Sequence, residues 1–566
     1  MARHPLDTCI RYAATLSYAP RCQPPAAMPH QPPSKPARRQ LLRGLAATGS
    51  AALLGSRLGE VLAQGLAPAV ITAERLRPQL PGGVMSGDVT AHGAIVWSRA
   101  DRPARMVVDV ATNAAFKNAR RIAGPAALAR NGLTSQLDLT GLPAGAELFY
   151  RVSYQDLVHE SVFSEPVVGR FHTASVTADK PICFVFSGDE AGQGWGINER
   201  FGGYRLYEAM RREQPDFFIH SGDQIYADGV IKPEVTLADG STWANLVTEA
   251  KSHVAQTLDD FRGAFAYNQL DAHKRRFAAE VPFLVQWDDH EVHNNWYPGQ
   301  TFGPLEQRYQ ERSASVLAAR ARQAMFEFNP FRLNPQDPAQ IYRAFAFGPL
   351  LDVFMLDERS YRGANSPNRQ PTLDADSAFL GVTQTEWLKR SLKASKATWK
   401  VIASDMPLSL VVDDLNADVL KGTYEAWANS DGGAPLGREL ELAGLLRFIK
   451  QHDIRNVVWV TADVHFAQAT YHHPSHARFT EFKPFWEFIG GPINAGTFAP
   501  PALDATFGPD VRYVSVPKDL PPNQPPSAGH QFYGKARIDP TTRTMAVSLH
   551  DLNGKLLWDV TLEPEA

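Results

Sequence analysis

Six short apolar runs, each followed by an aspartate, constrain the fold of this chain more than any other feature. They are ICFVFSGD, FFIHSGDQ, FLVQWDDHE, LLDVFMLDER, WKVIASDMP and RNVVWVTADVH. Because almost every position within a run is apolar, the runs are typical of strands buried on both faces of a sheet. Amphipathic segments between them, such as GGYRLYEAMRRE, TQTEWLKRSLK and LELAGLLRFIKQH, indicate helices. The pattern predicts an α/β layered domain over residues 180–566.

The aspartates occupy equivalent positions at the ends of these predicted strands. In sheets of this kind, ligands bind beyond the carboxyl ends of the strands. Carboxylates gathered at one edge would repel one another and raise one another's pKa unless a cation lay between them. The sequence therefore predicts a metal cluster at this edge of the sheet.

The candidate metal ligands lie in three kinds of segment. Asp189 and Asp223 each follow a glycine, which lets the chain turn sharply beside an ion. Asp463 and His465 alternate in VTADVHFA, so their side chains leave the chain on one face. The segment WDDHEVHNNW supplies a denser set of donors: Asp288, Asp289, His290, His293, Asn294 and Asn295. Mixed carboxylate, amide and imidazole donors suit Fe, Mn, Zn, Mg or Ca rather than a thiolate site.

Each candidate also has a structural alternative. An aspartate that ends a strand can instead cap a helix or stabilise a turn. Tyr226, three residues after Asp223, is either a metal ligand or a packed aromatic. His290 can donate a proton to a leaving group, contact phosphate or stabilise its own loop. Arg359 and Arg362 in LDERSYRG can hold phosphate through bidentate contacts or form surface ion pairs.

Residues 64–175 have a different pattern. Short alternating stretches such as GAIVWSRA, ARMVVDVAT, TSQLDLTGL and ELFYRVSYQ are separated by turn residues. This predicts a small fibronectin- or Ig-like β-sandwich as a separate N-terminal domain. Near the other end, FYGKARIDPTTRTMAVSLHDLNGKLLWDVTLEP alternates around turns at DPTT and LNGK, which predicts a β-meander that completes one sheet.

Residues 1–63 are predicted to be a leader with a twin-arginine signal. Arg38 and Arg39 begin the stretch RRQLLRGLAATGSAALLG, and VLAQ after it offers a small-residue cleavage site. The apolar part is shorter than the roughly 20 residues of a spanning helix, so we expect no permanent membrane anchor. The alternatives are a basic amphipathic helix and a disordered tail. The signal predicts export of the folded chain by the twin-arginine machinery to the periplasm or beyond, with Met28 as an alternative start.

The net charge indicates the class of binding partner, and the cysteine count indicates whether disulfide bonds can form. The chain has 57 basic and 60 acidic side chains and a formal charge of −3, which predicts no nucleic-acid-binding patch and favours a small-molecule partner. Cys9 and Cys22 fall in the leader and leave only Cys183. No disulfide framework is therefore expected, and Cys183 is interpreted as a core residue.

Taken in order, FSGDE, HSGDQIY, WDDHEVHNNW, LDERSYRG, TQTEWLKRSL, TADVH and EFIGGPINAGTF resemble the PhoD-like alkaline phosphatase and phosphodiesterase family of the metallophosphoesterase superfamily. The resemblance implies a four-layer α/β/β/α metallophosphoesterase domain after the β-sandwich. It also implies an exported, metal-dependent enzyme that hydrolyses phosphate monoesters of small molecules. Two alternatives stay open: a phosphodiesterase or phospholipase-D-like hydrolase with the same metals, and a non-catalytic surface-binding protein.

The resemblance also implies roles for individual residues. Asp223 matches a carboxylate that bridges two metal positions, and Tyr226 matches a tyrosinate on Fe³⁺. Asp463 and His465 match ligands from the last motif. Asn294 is the best match for an asparagine ligand, although the choice between Asn294 and its neighbour stays open.

Further implied roles concern the substrate. Asp289 and His290 are expected beside metal or phosphate, with His290 and Arg359 as catalytic residues. His290, Arg359 and Arg362 are expected to contact the substrate. Two metals about 3.5–4 Å apart lower the pKa of a bridging water and supply hydroxide for in-line attack on phosphorus, so no side-chain nucleophile is needed.

The identity of the metals rests on the family and on one departure from it. The family implies Fe³⁺ and Ca²⁺, with Zn²⁺ or Mn²⁺ as alternatives. Where the family often has a cysteine ligand after the first strand, this chain has Asp189. A carboxylate makes the site harder, which bears on the identity and potential of the iron rather than on hydrolysis.

Overall fold

The computed structural model of this protein describes residues 74–414 and 422–565, so the predicted twin-arginine leader lies outside the described residues. Residues Ile71–Ala566 form one compact unit. The described strands are β1 Val84–Gly87, β2 Gly93–Arg99, β3 Ala104–Ala111, β4 Arg120–Ala127, β5 Thr134–Thr140, β6 Glu147–Asp156, β7 Val167–His172, β8 Ile182–Ser187, β9 Phe217–Ser221, β10 Glu234–Thr236, β11 Thr242–Ala244, β12 Phe283–Gln286, β13 Arg343–Phe347, β14 Leu351–Met355, β15 Trp399–Ala403, β16 Val457–Thr461, β17 Gln468–His472, β18 Phe485–Ile489, β19 Pro509–Val514, β20 Phe532–Ile538, β21 Met545–Asp551 and β22 Leu556–Leu562. The described α-helices are α1 Arg205–Arg212, α2 Leu258–Asn268, α3 Ala272–Glu280, α4 Ala314–Phe328, α5 Gly381–Ala394 and α6 Glu439–Gln451.

Two large sheets form the middle of the molecule. Within the described residues, one has the strand order β22-β21-β20-β8-β9-β12-β1-β2-β5 and the other the order β13-β14-β15-β16-β18-β17-β19. Strands β8, β9 and β12 run parallel in the first sheet, and β14, β15 and β16 run parallel in the second. The six predicted strands are these six, and their carboxyl ends all carry the aspartates noted in the sequence.

The apolar runs are continuous because both faces of each sheet are covered. In β15, Val401 packs in the core between the two sheets, whereas the next residue, Ile402, packs against α5 and α6. In β8, Phe184 faces the core between the sheets and Val185 faces the core shared with helices α1 to α4. Each such fully buried side chain contributes about 1.5–3 kcal/mol. The predicted α/β/β/α order of layers is confirmed.

The N-terminal region is a two-layer sandwich, as predicted. A four-stranded sheet in the order β4-β3-β6-β7 packs on β1, β2 and β5 through a core that includes Val96, Val108, Tyr150 and Phe171. Sequence patterns did not show that β1 would also pair with β12, where Gly87 lies opposite Phe283. A side chain at this glycine would come within 2.5 Å of the Phe283 carbonyl oxygen, so the junction requires glycine.

The C-terminal strands form the predicted meander. β20, β21 and β22 pair antiparallel in succession, and β20 also pairs antiparallel with β8. The meander thereby completes one edge of the larger sheet, next to the strand that leads to Asp189. In the described part of the chain, no helix has both the length and the apolar character needed to cross a membrane.

Candidate metal centre

The loops after β8, β9, β12 and β16 bring the predicted ligands to one place. Three overlapping groups have ligand atoms within 4.8 Å of one another: Asp189, Asp223 and His465; Asp223, Asp289 and His290; and Asp288, Asp289 and Asp463. Asp223 belongs to two of these groups, which is the placement that a bridging carboxylate requires. The groups draw on four loops that are far apart in the sequence.

Four of these residues adopt backbone conformations that side chains usually avoid. The φ angles are 68° at Asp189, 53° at Asp223, 64° at Asp463 and 62° at His465. Aspartate tolerates the left-handed region better than most residues, but each such residue still costs on the order of 1–3 kcal/mol where the surroundings impose it. The strain is concentrated where the sharp turns aim the side chains at a common point.

The carboxylates at this point lack partners of the kind that buried charges need. Among the described residues, neither oxygen of Asp189 accepts a hydrogen bond, and the same holds for Asp288 Oδ2 and Asp289 Oδ1. Burial raises the pKa of Asp189 and of Asp223 well above the usual value; neighbouring carboxylates raise the pKa of Asp223 further, whereas His290 partly opposes the rise at Asp189. Unpartnered carboxylate oxygens that point toward one another fit a bound cation, so these residues satisfy the chemistry of a metal site.

His465 and Tyr226 present their polar atoms to the same group. The Gly496 carbonyl oxygen lies 2.5 Å from His465 Nδ1, which places the imidazole proton on Nδ1 and leaves Nε2 as an acceptor. His465 Nε2 then lies 2.8 Å from the Tyr226 hydroxyl and 3.5 Å from Asp189 Oδ1. Burial lowers the pKa of His465 to about 4, so the ring is neutral and able to bind metal.

His290 packs against Tyr226. The two rings are 4.2 Å apart between centroids, and the His290 backbone N–H donates to Asp223 Oδ1 at 3.1 Å. His290 Nδ1 lies 2.8 Å from Asp228 Oδ1. Although burial opposes it, the Asp228 carboxylate raises the pKa of His290 to about 10. The ring is therefore held protonated beside the candidate ligands.

This ion pair gives a pH-dependent stability in the metal-free protein. A histidine with a folded pKa of about 10 contributes its full stabilisation below its unfolded pKa near 6.5 and loses it as the pH rises toward 10. We expect His290→Gln to lower the free energy of unfolding by about 2 kcal/mol more at pH 6 than at pH 10. Urea denaturation with chelator present measures this difference. The exposed control His452→Gln should show no such trend, and an equal loss at both pH values for His290→Gln would contradict the pairing.

The other donors of WDDHEVHNNW divide between the site and its surroundings. Asn294 and Asn295 both line the cleft above the candidate ligands. The Asn295 backbone N–H donates to Asp289 Oδ2 at 2.6 Å, and its side-chain amide donates to Asp414 Oδ1 at 3.3 Å. His293 turns away and packs its ring against Phe302 at 4.4 Å between centroids. The choice between the two asparagines as ligand stays a prediction.

Arg359 and Arg362 lie behind the carboxylates. Both are buried, and neither belongs to the described residues that line the cleft. Arg359 donates from Nε to Asp288 Oδ1 at 2.8 Å and from Nη1 to Glu425 Oε2 at 2.6 Å. Arg362 donates to the Glu425 carbonyl oxygen, and its guanidinium carbon lies 4.6 Å from the centre of the Phe379 ring. This placement favours a role in holding carboxylates over the predicted contact with phosphate, and it excludes a surface ion pair.

Glu291 is a site residue that the sequence reasoning missed. Its carboxylate accepts backbone N–H groups from Asp223 at 3.2 Å, Gln224 at 2.7 Å and Asp288 at 2.9 Å. One buried side chain therefore ties together the two loops that carry Asp223 and Asp289. The sequence placed Glu291 inside the motif, but only the contact with a loop 67 residues earlier shows what it does.

The cleft above these groups is open to solvent and has a volume of about 360 Å³. Its floor includes Asp223, Asp289, His290, Asp463 and His465. Cys183 lies elsewhere, at the start of β8, and burial raises the pKa of its thiol to about 11. The thiol is a core residue, as expected, and Asp189 stands at the end of the same strand.

Two family models match the chain. Residues 184–549 match the model of the PhoD-like phosphatase family, and residues 65–175 match the model of the N-terminal domain of PhoD-like phosphatases. Alkaline phosphatase D of Bacillus subtilis (strain 168) is 32% identical over 306 residues, which are 52% of this chain and 49% of that protein. The chain thus spans about half the length of the curated relative that it matches.

Two solved structures share the fold. The structure of PhoD has a TM-score of 0.62 at 22% identity and covers 85% of this chain and 92% of its own. A purple acid phosphatase from yellow lupin (Lupinus luteus) seeds has a TM-score of 0.52 at 12% identity, with 86% of this chain and 74% of its own covered. The metallophosphoesterase fold expected from the motifs is thereby confirmed. With a family model that covers most of its length and the donor groups in place, the chain belongs to the PhoD-like phosphatase family.

Proposed function

We propose that this protein is a metal-dependent phosphoesterase that hydrolyses phosphate monoesters of small molecules. The observation that carries the proposal is the set of three donor groups, of which the first two share Asp223 and the last two share Asp289, with both of these carboxylates lining a solvent-open cleft. Alkaline phosphatase D of Bacillus subtilis, which is 32% identical over the matched part, supports the same reaction class.

Different residues would carry different steps of the hydrolysis. Bound cations would lower the pKa of a water molecule and neutralise the phosphoryl oxygens. Attack by water forms a P–O bond as the ester P–O bond breaks, and the departing alkoxide needs a proton. His290 lies on the cleft floor with its ring held protonated by Asp228, so it can donate that proton from Nε2. Asn294 lines the same cleft, where its side-chain amide can donate to a phosphoryl oxygen, whereas the amide of Asn295 donates to the Asp413 carbonyl and to Asp414.

The same cleft suits a second reaction. A volume of about 360 Å³ leaves room for two ester groups on one phosphorus, so a phosphodiesterase or phospholipase-D-like hydrolase is the second candidate. Initial rates on p-nitrophenyl phosphate and bis-p-nitrophenyl phosphate, measured side by side, decide between them. We expect the monoester to be hydrolysed faster. A strong diester preference would overturn that choice, and hydrolysis of neither would favour a non-catalytic binding protein.

We further propose that one metal is Fe³⁺, held by Asp189, Asp223, Tyr226 and His465, with Ca²⁺ beside it. Support comes from the approach of the Tyr226 hydroxyl to His465 Nε2, 2.8 Å, in a group rich in carboxylate oxygens. Zn²⁺ or Mn²⁺ would fit the same donors. Because Asp189 replaces a thiolate, all of these donors are hard or intermediate ligands.

A visible spectrum combined with metal analysis tests the iron assignment. A tyrosinate on Fe³⁺ absorbs by ligand-to-metal charge transfer, so we expect a violet band, close to one iron per chain, and loss of the band in Tyr226→Phe. Tyr309→Phe, a buried tyrosine outside the donor groups, serves as the matched control and should keep the band. A colourless, active protein that holds other metals would contradict iron and leave the hydrolase proposal in place.

Export is also a proposal. The paired Arg38 and Arg39 support transport by the twin-arginine machinery to the periplasm or to the medium. We expect the double substitution Arg38→Lys and Arg39→Lys to leave the protein in the cytoplasm. Fractionation that found the variant exported like the parent would contradict the signal.

A further inference from the structure

One wall of the cleft is apolar. Its members line the cleft on two segments that are far apart in the sequence: Val411, Val412, Phe498, Ala499 and Pro501. The segments are joined by backbone pairing, because Val411 N–H donates to the Ala502 carbonyl at 2.9 Å and Leu410 bridges Leu503. We refer to these five cleft-lining residues as the apolar wall. The apolar wall is therefore a continuous surface formed by two paired segments, and not a single exposed apolar side chain.

The apolar wall directly adjoins the candidate ligands. The Phe498 ring lies 5.6 Å from the His465 ring between centroids, at an interplanar angle of 61°. The preceding residue, Thr497, exchanges backbone hydrogen bonds with Gln524 at 3.0 and 2.9 Å, which fixes the start of this segment. Phe498 is nevertheless only half-buried, so part of its ring is available to a bound molecule. A group attached to a phosphate on the cleft floor would reach this ring.

The charge of the described residues that line the cleft disfavours a second anion. Among the described residues that line it, none is lysine or arginine. Asp413 lies exposed at the rim and Glu425 lies deeper, which adds carboxylates beyond the candidate ligands. The guanidinium groups of Arg359 and Arg362 are buried behind Glu425. The His290 ring and the bound cations would lie on the cleft floor with the reacting phosphate, so a second phosphate farther up the cleft would lose water and meet the carboxylate of Asp413.

We propose that the cleft selects phosphate esters whose leaving group is apolar and carries no second anionic group. The selection rests on the proposed phosphoesterase function and adds to it the class of substrate. The apolar wall removes the leaving group from water, and Asp413 repels substrates with a further phosphate. Nucleoside polyphosphates and sugar bisphosphates are disfavoured by the same argument.

Three esters of primary alcohols test the selection. They are n-hexyl phosphate, glycerol 1-phosphate and hexane-1,6-diol bisphosphate, and the holoenzyme is assayed by release of inorganic phosphate. We expect kcat/KM for hexyl phosphate to exceed that for glycerol phosphate by about tenfold, the equivalent of burying two methylene groups. We expect the bisphosphate, which has the same chain, to fall below hexyl phosphate by about tenfold.

Matched variants assign the two effects to residues. Phe498→Ala should raise KM for hexyl phosphate about tenfold more than it raises KM for methyl phosphate. Leu503→Ala, an exposed residue of the same segment that does not line the cleft, should change neither. Asp413→Lys should raise kcat/KM for the bisphosphate by about tenfold. Asp519→Lys, the same charge reversal at an exposed turn, should not.

The possible outcomes distinguish a failure of the proposed substrate selection from a failure of the proposed phosphoesterase function. Equal kcat/KM for all three esters would overturn the selection and leave the phosphoesterase function standing. A preference for hexyl phosphate that Phe498→Ala leaves intact would overturn the assignment to the apolar wall. Hydrolysis of none of these esters or of p-nitrophenyl phosphate would overturn the function, and the selection with it.

Discussion

Asp223→Asn is expected to reduce kcat/KM for p-nitrophenyl phosphate by about a thousandfold, or about 4 kcal/mol. The carboxylate lies within ligand distance of both Asp189 with His465 and Asp289 with His290, so one substitution alters two donor groups. Asparagine keeps the size of the side chain but removes the charge that would hold cations in both groups. The bound metal should therefore fall together with the rate.

The same substitution is expected to stabilise the metal-free protein. Burial and neighbouring carboxylates raise the pKa of Asp223, so its ionised form opposes folding at every pH above its unfolded pKa near 3.9. Neutralising it should raise the free energy of unfolding at pH 7 by on the order of 1 kcal/mol. Neutralising a carboxylate that serves only metal binding should raise the free energy of unfolding of the metal-free protein, whereas neutralising a carboxylate that stabilises the fold should lower it.

Three measurements on each protein check this pair of expectations: initial rates, metal content, and thermal denaturation with chelator present. The exposed control Asp519→Asn should change none of them. If Asp223→Asn kept a rate within tenfold of the parent, the shared position of Asp223 would have no catalytic meaning. If the variant lost both rate and metal-free stability, the carboxylate would be structural.

Arg359→Met is expected to lower the free energy of unfolding by about 3–5 kcal/mol. The guanidinium is fully buried and lies 2.8 Å from Asp288, 2.6 Å from Glu425 and 3.4 Å from Asp405. Methionine fills much of the volume but leaves Asp288 and Asp405 without this guanidinium, and it leaves Glu425 with only the Arg362 guanidinium at 3.7 Å. Breaking a buried pair in this way costs far more than losing the attraction in water.

This prediction also discriminates between the two roles considered for Arg359. If the residue held phosphate, Arg359→Met would raise KM with little change in stability. The buried network instead predicts a large loss of stability, measured by urea denaturation. Arg447→Met, which breaks the exposed pair with Glu481 at 2.8 Å, is the control and should cost no more than about 1 kcal/mol. A similar small cost at Arg359 would contradict the network.

Much of the fold was predictable because its signal is local. A strand buried on both faces reads as a run of apolar residues, and each of the six runs is a strand in the structure. The meander and the sandwich follow from alternation and turn residues in the same way. The pairing of β1 with β12 was not predictable, because it joins residues almost 200 positions apart at a single glycine.

The candidate site was predictable in its residue types and not in its side-chain directions. The pattern of strands ending in aspartate identified Asp189, Asp223, Asp289 and Asp463, and the structure brings them together. It gave no sign that His293 would turn away, although His293 and His290 lie in the same short motif. The pattern also gave no role for Glu291, because the backbone N–H of Gln224 that its carboxylate accepts belongs to another loop.

Periodicity and turn residues predicted an α/β layered domain, its strands and the end of each strand at which polar groups collect, because these signals act over a few positions. The four-layer order was an implication of the family resemblance. The contact of Tyr226 with His465 across 239 residues, the inward direction of Arg359 and the apolar wall beside the cleft emerge only in the tertiary structure. They depend on packing between segments that are distant in the chain, which no local pattern contains.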